Sequence, residues 1–512
     1  MKKTEFLLSI LLLIILFSCG KDEDPITIPE PQLSSKSEIS KLVLEQNNLE
    51  YLTSISGNEI QVNEKLPYGT ESIQIKSIEV SDKSAANVKA GDFFNISSGN
   101  FKINVTAENG NSKEYTVNIT FEERTFEVTI FEPLMVSKSY TTPTYVHYMP
   151  WFESPEFAEF PNTERGNWGI HWTMSTKDPS NVDANGKREI AAHYYPLIGP
   201  YDNGEPHYLE YAVTCIKLVG LDGILIDNPG ITEVYDARLL QEHTEAIIPW
   251  LKKAGLKFGL VYEDAALKNA EEQGVITDKV LEGKRVLSYM QDNYFDTDDY
   301  VNINNRPLLL NFGPQGIFTA SEWESIFSDI TPKPLFVTLP YTINNYNLND
   351  VGAGEFGWVG ESVNNDFNTY CQNSNFSLCI GGAIPGFNDF YMEGGWGDGF
   401  TYYDDMGGLL FEQSLQQVKT NDIDLLQIIT WNDWGEGTII EPSEEFGYSR
   451  LETLQNFLGV QYSENELELP VKLYQKRKEY KGKIFENQVL DQVFYYLVSL
   501  QIEEAKKLLD EI

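Results

Sequence analysis

Residues 430–442 read TWNDWGEGTIIEP. Asp433 and Glu436 stand three apart, with Trp431 and Trp434 flanking the first and Gly435 and Gly437 flanking the second. Two neighbouring carboxyl groups, one ionised and one protonated, can divide a proton transfer between acceptor and donor. Indoles around a carboxyl exclude water, which raises its pKa and keeps it available as an acid near neutral pH. The glycines give Glu436 backbone freedom without a packing role. No basic residue follows it before Arg450, so a partner close in sequence does not account for it. The pair reads as catalytic, with Glu436 as general acid/base and Asp433 as general base or stabiliser.

Elements must position such a pair. From Phe126 onward, runs of buried-strand type alternate with amphipathic ones: TYVHYMPWF, YAVTCIKLVGLDGILIDNPG, AIIPWLKKAGLKFGLVYED, YVNINNRPLLLNFG, SLCIGGAIPGF and LLQIITWNDWGEG. This alternation implies a parallel sheet covered by helices, here a (β/α)8 TIM barrel over 126–512 that includes C-terminal helices. A doubly wound open sheet is the alternative, but no Gly-rich phosphate loop follows the first strand.

In a barrel of this kind chemistry gathers at the C-terminal ends of the strands. Those ends supply His147, Tyr148 and Trp151; Asp227 and Asn228; Tyr262, Glu263 and Asp264; Asn311; Gly386 and Asn388; and Trp431, Asn432 and Asp433. Amides and carboxylates bind hydroxyls, indoles stack on pyranose faces, and a carboxyl pair handles protons, so the set suits a sugar. Expected substrate contacts are His147, Tyr148, Trp151, His193, Asp227, Tyr262, Glu263, Asn311, Trp358, Trp431, Asn432 and Trp434, with Trp168 a further stacking candidate. The plainer readings are that Asp227 caps a helix and that Glu263 and Asp264 form structural ion pairs.

No cofactor is expected. The five histidines lack metal-ligand spacing, His243 reads as a surface residue, and DTDDYVNINN lacks the Gly and Glu of a calcium loop. Of four cysteines, Cys19 falls in LFSCG, leaving Cys215, Cys371 and Cys379. An odd number cannot pair completely. Buried free thiols are the default expectation, with a Cys371–Cys379 bridge as the alternative.

The formal charge of −39 excludes a nucleic-acid partner, which needs clustered Lys and Arg, and excludes a polybasic membrane patch. At the N-terminus two lysines precede an apolar run and Cys19, a signal-peptide pattern over 1–19. Residues 20–36, rich in Pro, Ser and charge, read as a flexible tether. Residues 37–125 hold short Val/Ile/Thr-rich stretches with turn residues between them, the pattern of a small all-β sandwich.

Three resemblances follow from these motifs. LFSC followed by KDED resembles the lipobox and export signal of Bacteroidetes-type surface lipoproteins, implying lipidation at Cys19 and an outer-membrane position facing the exterior. The sandwich resembles the immunoglobulin-like domains that follow the tether in such lipoproteins. YVHYMPWF, HYYPLIGPYDNGEP, GLDGILIDNPG, FGLVYED, YVNINNRPLLLNF and IITWNDWGEGTIIEPS, in this order, resemble the glycoside hydrolase family 99 and 71 group. Family 99 motifs resemble WNEWHEG, which implies endo-acting α-mannoside hydrolysis in which the first carboxylate, here Asp433, assists the sugar's own 2-hydroxyl in forming an epoxide-like intermediate and the second, here Glu436, serves as acid and then as base. Family 71 motifs resemble WNDYGES, which implies inverting α-1,3-glucan hydrolysis. Asp433 and Gly435 lean to family 71, whereas EGTIIEP leans to family 99. The expectation is an endo-acting glycoside hydrolase of an α-linked polysaccharide or glycan, acting as a monomer, with a non-catalytic surface glycan-binding protein as the alternative.

Overall fold

The computed structural model describes residues 32–122, 126–156, 168–359, 371, 373, 375–419 and 423–512. Cys19 and the rest of the signal segment lie outside them. The chain divides into two compact units between Glu123 and Arg124.

The first unit is all-β. Its strands are β1 (Ile39–Gln46), β2 (Leu49–Ser56), β3 (Glu59–Val62), β4 (Ser72–Val80), β5 (Ala85–Ala86), β6 (Phe93–Asn95), β7 (Asn100–Thr106) and β8 (Ser112–Asn118). They pair in the order β5-β7-β8-β3-β2-β1-β4-β6. β2 pairs with β1 through Leu49–Leu52 and with β3 through Thr53–Ser56. Asn47 and Asn48 both take positive φ, as a two-residue turn between strands requires. Alternation sends Ile60, Val62, Ile103, Val105, Tyr115 and Val117 into one core.

The second unit holds the barrel. Its parallel strands are β9 (Thr144–Tyr148), β10 (Gly223–Asn228), β11 (Lys257–Tyr262), β13 (Arg306–Asn311), β14 (Leu335–Thr338), β15 (Gly352–Glu355), β16 (Ile380–Ala383) and β17 (Leu425–Ile428), with β12 (Asn302–Ile303) antiparallel to β13. Their order is β15-β14-β13-β11-β10-β9-β17-β16. The sheet is nearly closed, because its edges meet at a parallel bridge between Phe356 and Ile380. Helices Pro206–Val219, Ala237–Ala254, Lys279–Met290, Ala320–Ile326, Leu409–Lys419 and Ser449–Leu458 lie between or after the strands. The β14–β15 connection carries only the short helix Thr342–Asn345, and no α-helix lies between β15 and β16 among the described residues.

Strand alternation sorts the apolar residues into two cores. Tyr145, Leu225, Val261, Leu310 and Val337 form the barrel interior. Their neighbours Val146, Tyr148, Ile226, Tyr262, Leu309 and Phe336 pack outward into the helical layer. This parity decides which polar residues at the strand ends reach the site.

Helices Glu464–Glu479, Ile484–Val498 and Ile502–Glu511 complete the unit. The tail joins the outer core through Leu490, Val493, Leu497 and Leu509, as its helical spacing predicts. Arg477 Nε and Nη2 donate to both carboxylate oxygens of buried Glu210 at 2.9 and 2.7 Å, and Nη2 also donates to Asp491 at 2.8 Å. The default expectation of free thiols is corrected for two cysteines: Cys371 and Cys379 form a disulfide, and Cys215 is free and buried. Among the described residues, no helix is long and apolar enough to cross a membrane.

Candidate active site

A cavity of about 200 Å³ opens at the C-terminal ends of the barrel strands. Its wall holds His147 and Met149 from β9 and the turn after it, Asp227 from β10, and Glu263 and Phe312, which directly follow β11 and β13. Trp358 follows β15, Tyr391 and Trp396 follow β16, and Asp433, Gly435 and Glu436 follow β17. Trp151, His171 and Met174 complete the lining, which among the described residues includes no Lys or Arg.

The loop after β17 is held at many points. Trp431 N donates to His147 O at 2.7 Å, and Asn432 exchanges two hydrogen bonds with the Met149 backbone at 2.8 and 2.9 Å. These bonds sew the loop to the first barrel strand. Asp433 N donates to Thr430 Oγ1, and Glu436 N and Gly437 N donate to Asp433 Oδ1 and O, at 2.8–2.9 Å. Gly437 has φ +71°, and a Cβ there would lie 2.9 Å from Asn388 O, so the turn needs glycine. Tyr391 Oη donates to Glu436 Oε1 at 2.9 Å.

Burial controls the titration of these acids. It lifts Glu436 to about 7, with the Tyr391 hydrogen bond holding it back and the charge of Asp389 adding to the rise. Burial and the charge of Glu436 push Asp433 well above the carboxylate range. Across the cavity, burial and then Asp236 and Asp264 raise Glu263 to about 7, while burial and then Glu263 raise Asp227. Among the described residues, Asp227 Oδ2 and His147 Nδ1 are buried without a hydrogen-bond partner. Burial lowers His147 to about 3, so its ring is neutral. The site therefore holds protons near neutral pH, as an acid catalyst requires.

Indoles and imidazoles shape the walls. The His171 ring stacks on Trp151 at 4.3 Å and 7°, and its Nε2 lies 3.2 Å from Asp236. Trp358 meets His147 and Phe312 edge-on at 4.8 and 4.9 Å.

Of the residues expected from the sequence, the cavity brings together His147, Trp151, Asp227, Glu263, Trp358, Asp433 and Glu436. The others are placed elsewhere. Tyr148 and Tyr262 have the outward parity and are wholly buried, with Tyr148 Oη accepting from Asn203 Nδ2 at 2.8 Å. Asn311 donates to Tyr262 O and Asp264 instead of facing the cavity. Trp431 and Trp434 are enclosed and offer a sugar no face; Trp434 Nε1 donates to Tyr201 Oη at 2.9 Å. Trp168 is buried, with the Arg188 guanidinium over its ring. Asn432 is the clamp described above. His193 binds Asp389 O at 3.1 Å and lines a separate surface groove.

Two plainer readings also change. Asp227 caps no helix, since it is Asn228 that accepts from Gly230 N at 2.9 Å. Asp264 is structural but not through an ion pair: it accepts from the backbone N–H groups of Gln315, Gly316 and Ile317. His243 is buried rather than at the surface, and its ring contacts Pro150 O at 2.7 Å and Asp202 at 3.3 Å. Its position on the buried face of Ala237–Ala254 accounts for the difference.

Sequence reasoning missed His171, Phe312, Tyr391, Trp396 and the two methionines. Phe312 was open to the parity argument, two residues beyond Leu310. Tyr391 and Trp396 stand in FNDFYMEGGWGDGF, whose density of aromatics and glycines directly after a strand was the available signal. Among the described residues, no group of three or more His, Cys, Asp or Glu is arranged to hold a metal ion.

Behind the loop, Tyr201 Oη donates to Glu441 Oε2 at 2.6 Å. Burial raises Glu441 from 4.5 to about 8, against the hydrogen bond from Tyr201. A raised carboxyl stabilises the fold fully below its unfolded value, and that contribution disappears as pH rises through the folded value. Glu441→Gln cannot ionise, so the variant is expected to lose less stability than the parent between about pH 5 and about pH 8.5 in urea unfolding. Parallel losses in the two proteins would show that Glu441 is ionised in the fold.

No family model matches the chain, and no curated protein is similar to it at a significant level. Among solved structures, it is similar to the GH99 endo-α-mannosidase from Bacteroides thetaiotaomicron, at 16% identity over 66% of this chain and 98% of that one, with a TM-score of 0.44. A glycoside hydrolase-like protein matches at 13% identity over 66% and 98%, with a TM-score of 0.45. A Bacteroides ovatus GH5 xyloglucanase matches at 12% identity over 91% and 100%, with a TM-score of 0.22. At these scores the likenesses decide neither fold nor activity.

Proposed function

We propose that the chain is an endo-acting glycoside hydrolase of an α-linked polysaccharide or glycan, of α-mannan or α-glucan type. The observation that carries this is buried Asp433 beside half-buried Glu436, whose backbone N–H donates to the Asp433 carboxylate, in an aromatic-walled cavity at the strand ends. Glu436, protonated near neutral pH, gives its proton to the glycosidic oxygen as the C–O bond breaks. Asp433 supports the opposite demand in the state in which the pair holds a single proton, on Glu436, so that the charge of Glu436 no longer raises it. It is then a base towards the attacking hydroxyl or water, or a charge that stabilises the developing cation. Water supplies the hydroxyl that ends at the anomeric carbon, and its proton restores the acid. Asp227 and Glu263 face the pair and offer acceptors to sugar hydroxyls, while Trp151 and Trp358 offer apolar faces.

The same proposal includes attachment to the outer membrane through a lipid on Cys19, exposure to the exterior, a monomeric state and an immunoglobulin-like spacer over 37–125. These rest on the sequence patterns alone.

Incubating the purified protein with α-mannans, α-1,3-glucans and other α-glycans, and following product anomers by proton NMR, tests the activity. Cleavage inside the polymer is the expected result, and the first anomer formed reports the stereochemistry. Saturable binding of one glycan without cleavage in long incubations would favour a capture protein. Tyr391→Phe removes the hydrogen bond that holds Glu436 down. The alkaline limb of its pH–rate profile is therefore expected to move to higher pH, with kcat falling by about 3- to 10-fold. An unmoved limb would show that Glu436 is not the group titrating there.

A further inference from the structure

Apolar side chains continue outward from the cavity along the segment after β16. Tyr391 and Trp396, both in the cavity wall, have nearly parallel rings 6.2 Å apart, and Phe400 lies 5.9 Å from Tyr391. Beyond them, Phe400 is 71% exposed and Tyr402 55%. The segment is well secured. Phe387 and Tyr403 exchange two backbone hydrogen bonds at 3.0 and 2.9 Å, and the Asp389 carboxylate accepts from Tyr391 N at 3.0 Å and Phe400 N at 2.8 Å. Gly399, at φ +74°, has Asp389 Oδ1 2.9 Å from the place of a Cβ, so only glycine lets the loop close on its staple. Four hydrogen bonds thus hold rings in water, where covering them gains free energy.

We propose that Phe400 and Tyr402 form a ledge that binds an uncharged polysaccharide chain where it leaves the cavity. The inference rests on the hydrolase reading and adds to it a distal site and a substrate class. Continuity with the cavity wall indicates a chain already engaged there. Ring faces match the apolar faces of sugars. Glu393, Asp398, Asp404 and Asp405 flank the ledge, and 391–405 contains no Lys or Arg, so sulfated or uronic polymers are repelled.

The test is Phe400→Ala/Tyr402→Ala beside the parent protein, on a cleaved neutral polysaccharide and on the shortest oligosaccharide the parent cleaves. KM for the polymer is expected to rise about tenfold, with kcat on both substrates and KM for the oligosaccharide unchanged. An unchanged polymer KM overturns the ledge. A fall in kcat on the oligosaccharide also overturns it, because it shows a loop collapsing onto Tyr391. If the parent cleaves nothing, the hydrolase reading fails separately, and electrophoresis through gels containing each neutral polysaccharide decides the ledge. Retardation lost in the variant supports it; equal mobility, or no retardation of the parent, overturns it.

Discussion

Glu436→Gln is expected to lower kcat on a cleaved glycan by about 10³- to 10⁴-fold, the upper part of the range for a positioned acid–base group. Glutamine keeps the volume and can still meet the Tyr391 hydroxyl that Glu436 accepts at 2.9 Å. It cannot surrender a proton, so KM should change far less than kcat. Asp433→Asn should cause a comparable loss by another route. Its amide oxygen can still accept from Glu436 N, so the turn survives while the base or stabilising charge is lost. Stopped product assays on both variants, with unfolding curves to show intact folds, check the pair. Either variant retaining more than about a tenth of parental kcat would remove its residue from the chemistry.

Arg477→Met is expected to destabilise the second unit by about 3–5 kcal/mol, the cost of leaving a buried charge without its partner. Glu210 is 1% exposed, and Arg477 meets both of its carboxylate oxygens. Methionine fills most of the space and offers no donor. The double variant Glu210→Gln/Arg477→Met removes the stranded charge as well and should recover much of the loss. Urea midpoints of the single and double variants measure this. A single variant within about 1 kcal/mol of the parent would mean that water reaches Glu210. Helix Pro206–Val219, which carries Glu210, begins three residues after Asn203, whose side chain holds both Tyr148 and the Phe152 backbone. The ion pair thus anchors the helix that follows a segment bonded to the chain next to Trp151, a residue of the candidate site.

The barrel strands and the pair in TWNDWGEG were legible because buried parallel strands are long apolar runs and because two carboxyls among indoles have few structural explanations. Orientation was the harder part. A strand end offers adjacent polar residues, such as His147 beside Tyr148 or Tyr262 beside Glu263, and only one of each couple faces the interior. Counting in twos from Tyr145 or Val261 would have separated them. Trp431 and Trp434 misled for a different reason: an indole beside a candidate acid can be enclosed behind it, as Trp434 is by donating to Tyr201, without meeting the cavity. His171 and Tyr391 come from connections, where no periodicity tells which side chain returns to the cavity. The Cys371–Cys379 bridge depends on a spatial approach that spacing alone does not specify.

The division of β10 into an inward Asp227 and an outward Asn228 sets a rule for how this chain can vary over time. Losing one residue inside that strand would shift its frame by one, presenting an amide or an isoleucine where a carboxyl stood and driving an acid into the oily layer below the helices. Length changes are therefore tolerable in the connections and ruinous in the strands. Among descendants of this sequence, the spacing from Leu225 to Asp227, and from Val261 to Glu263, should resist insertion and deletion even where the residues between them drift.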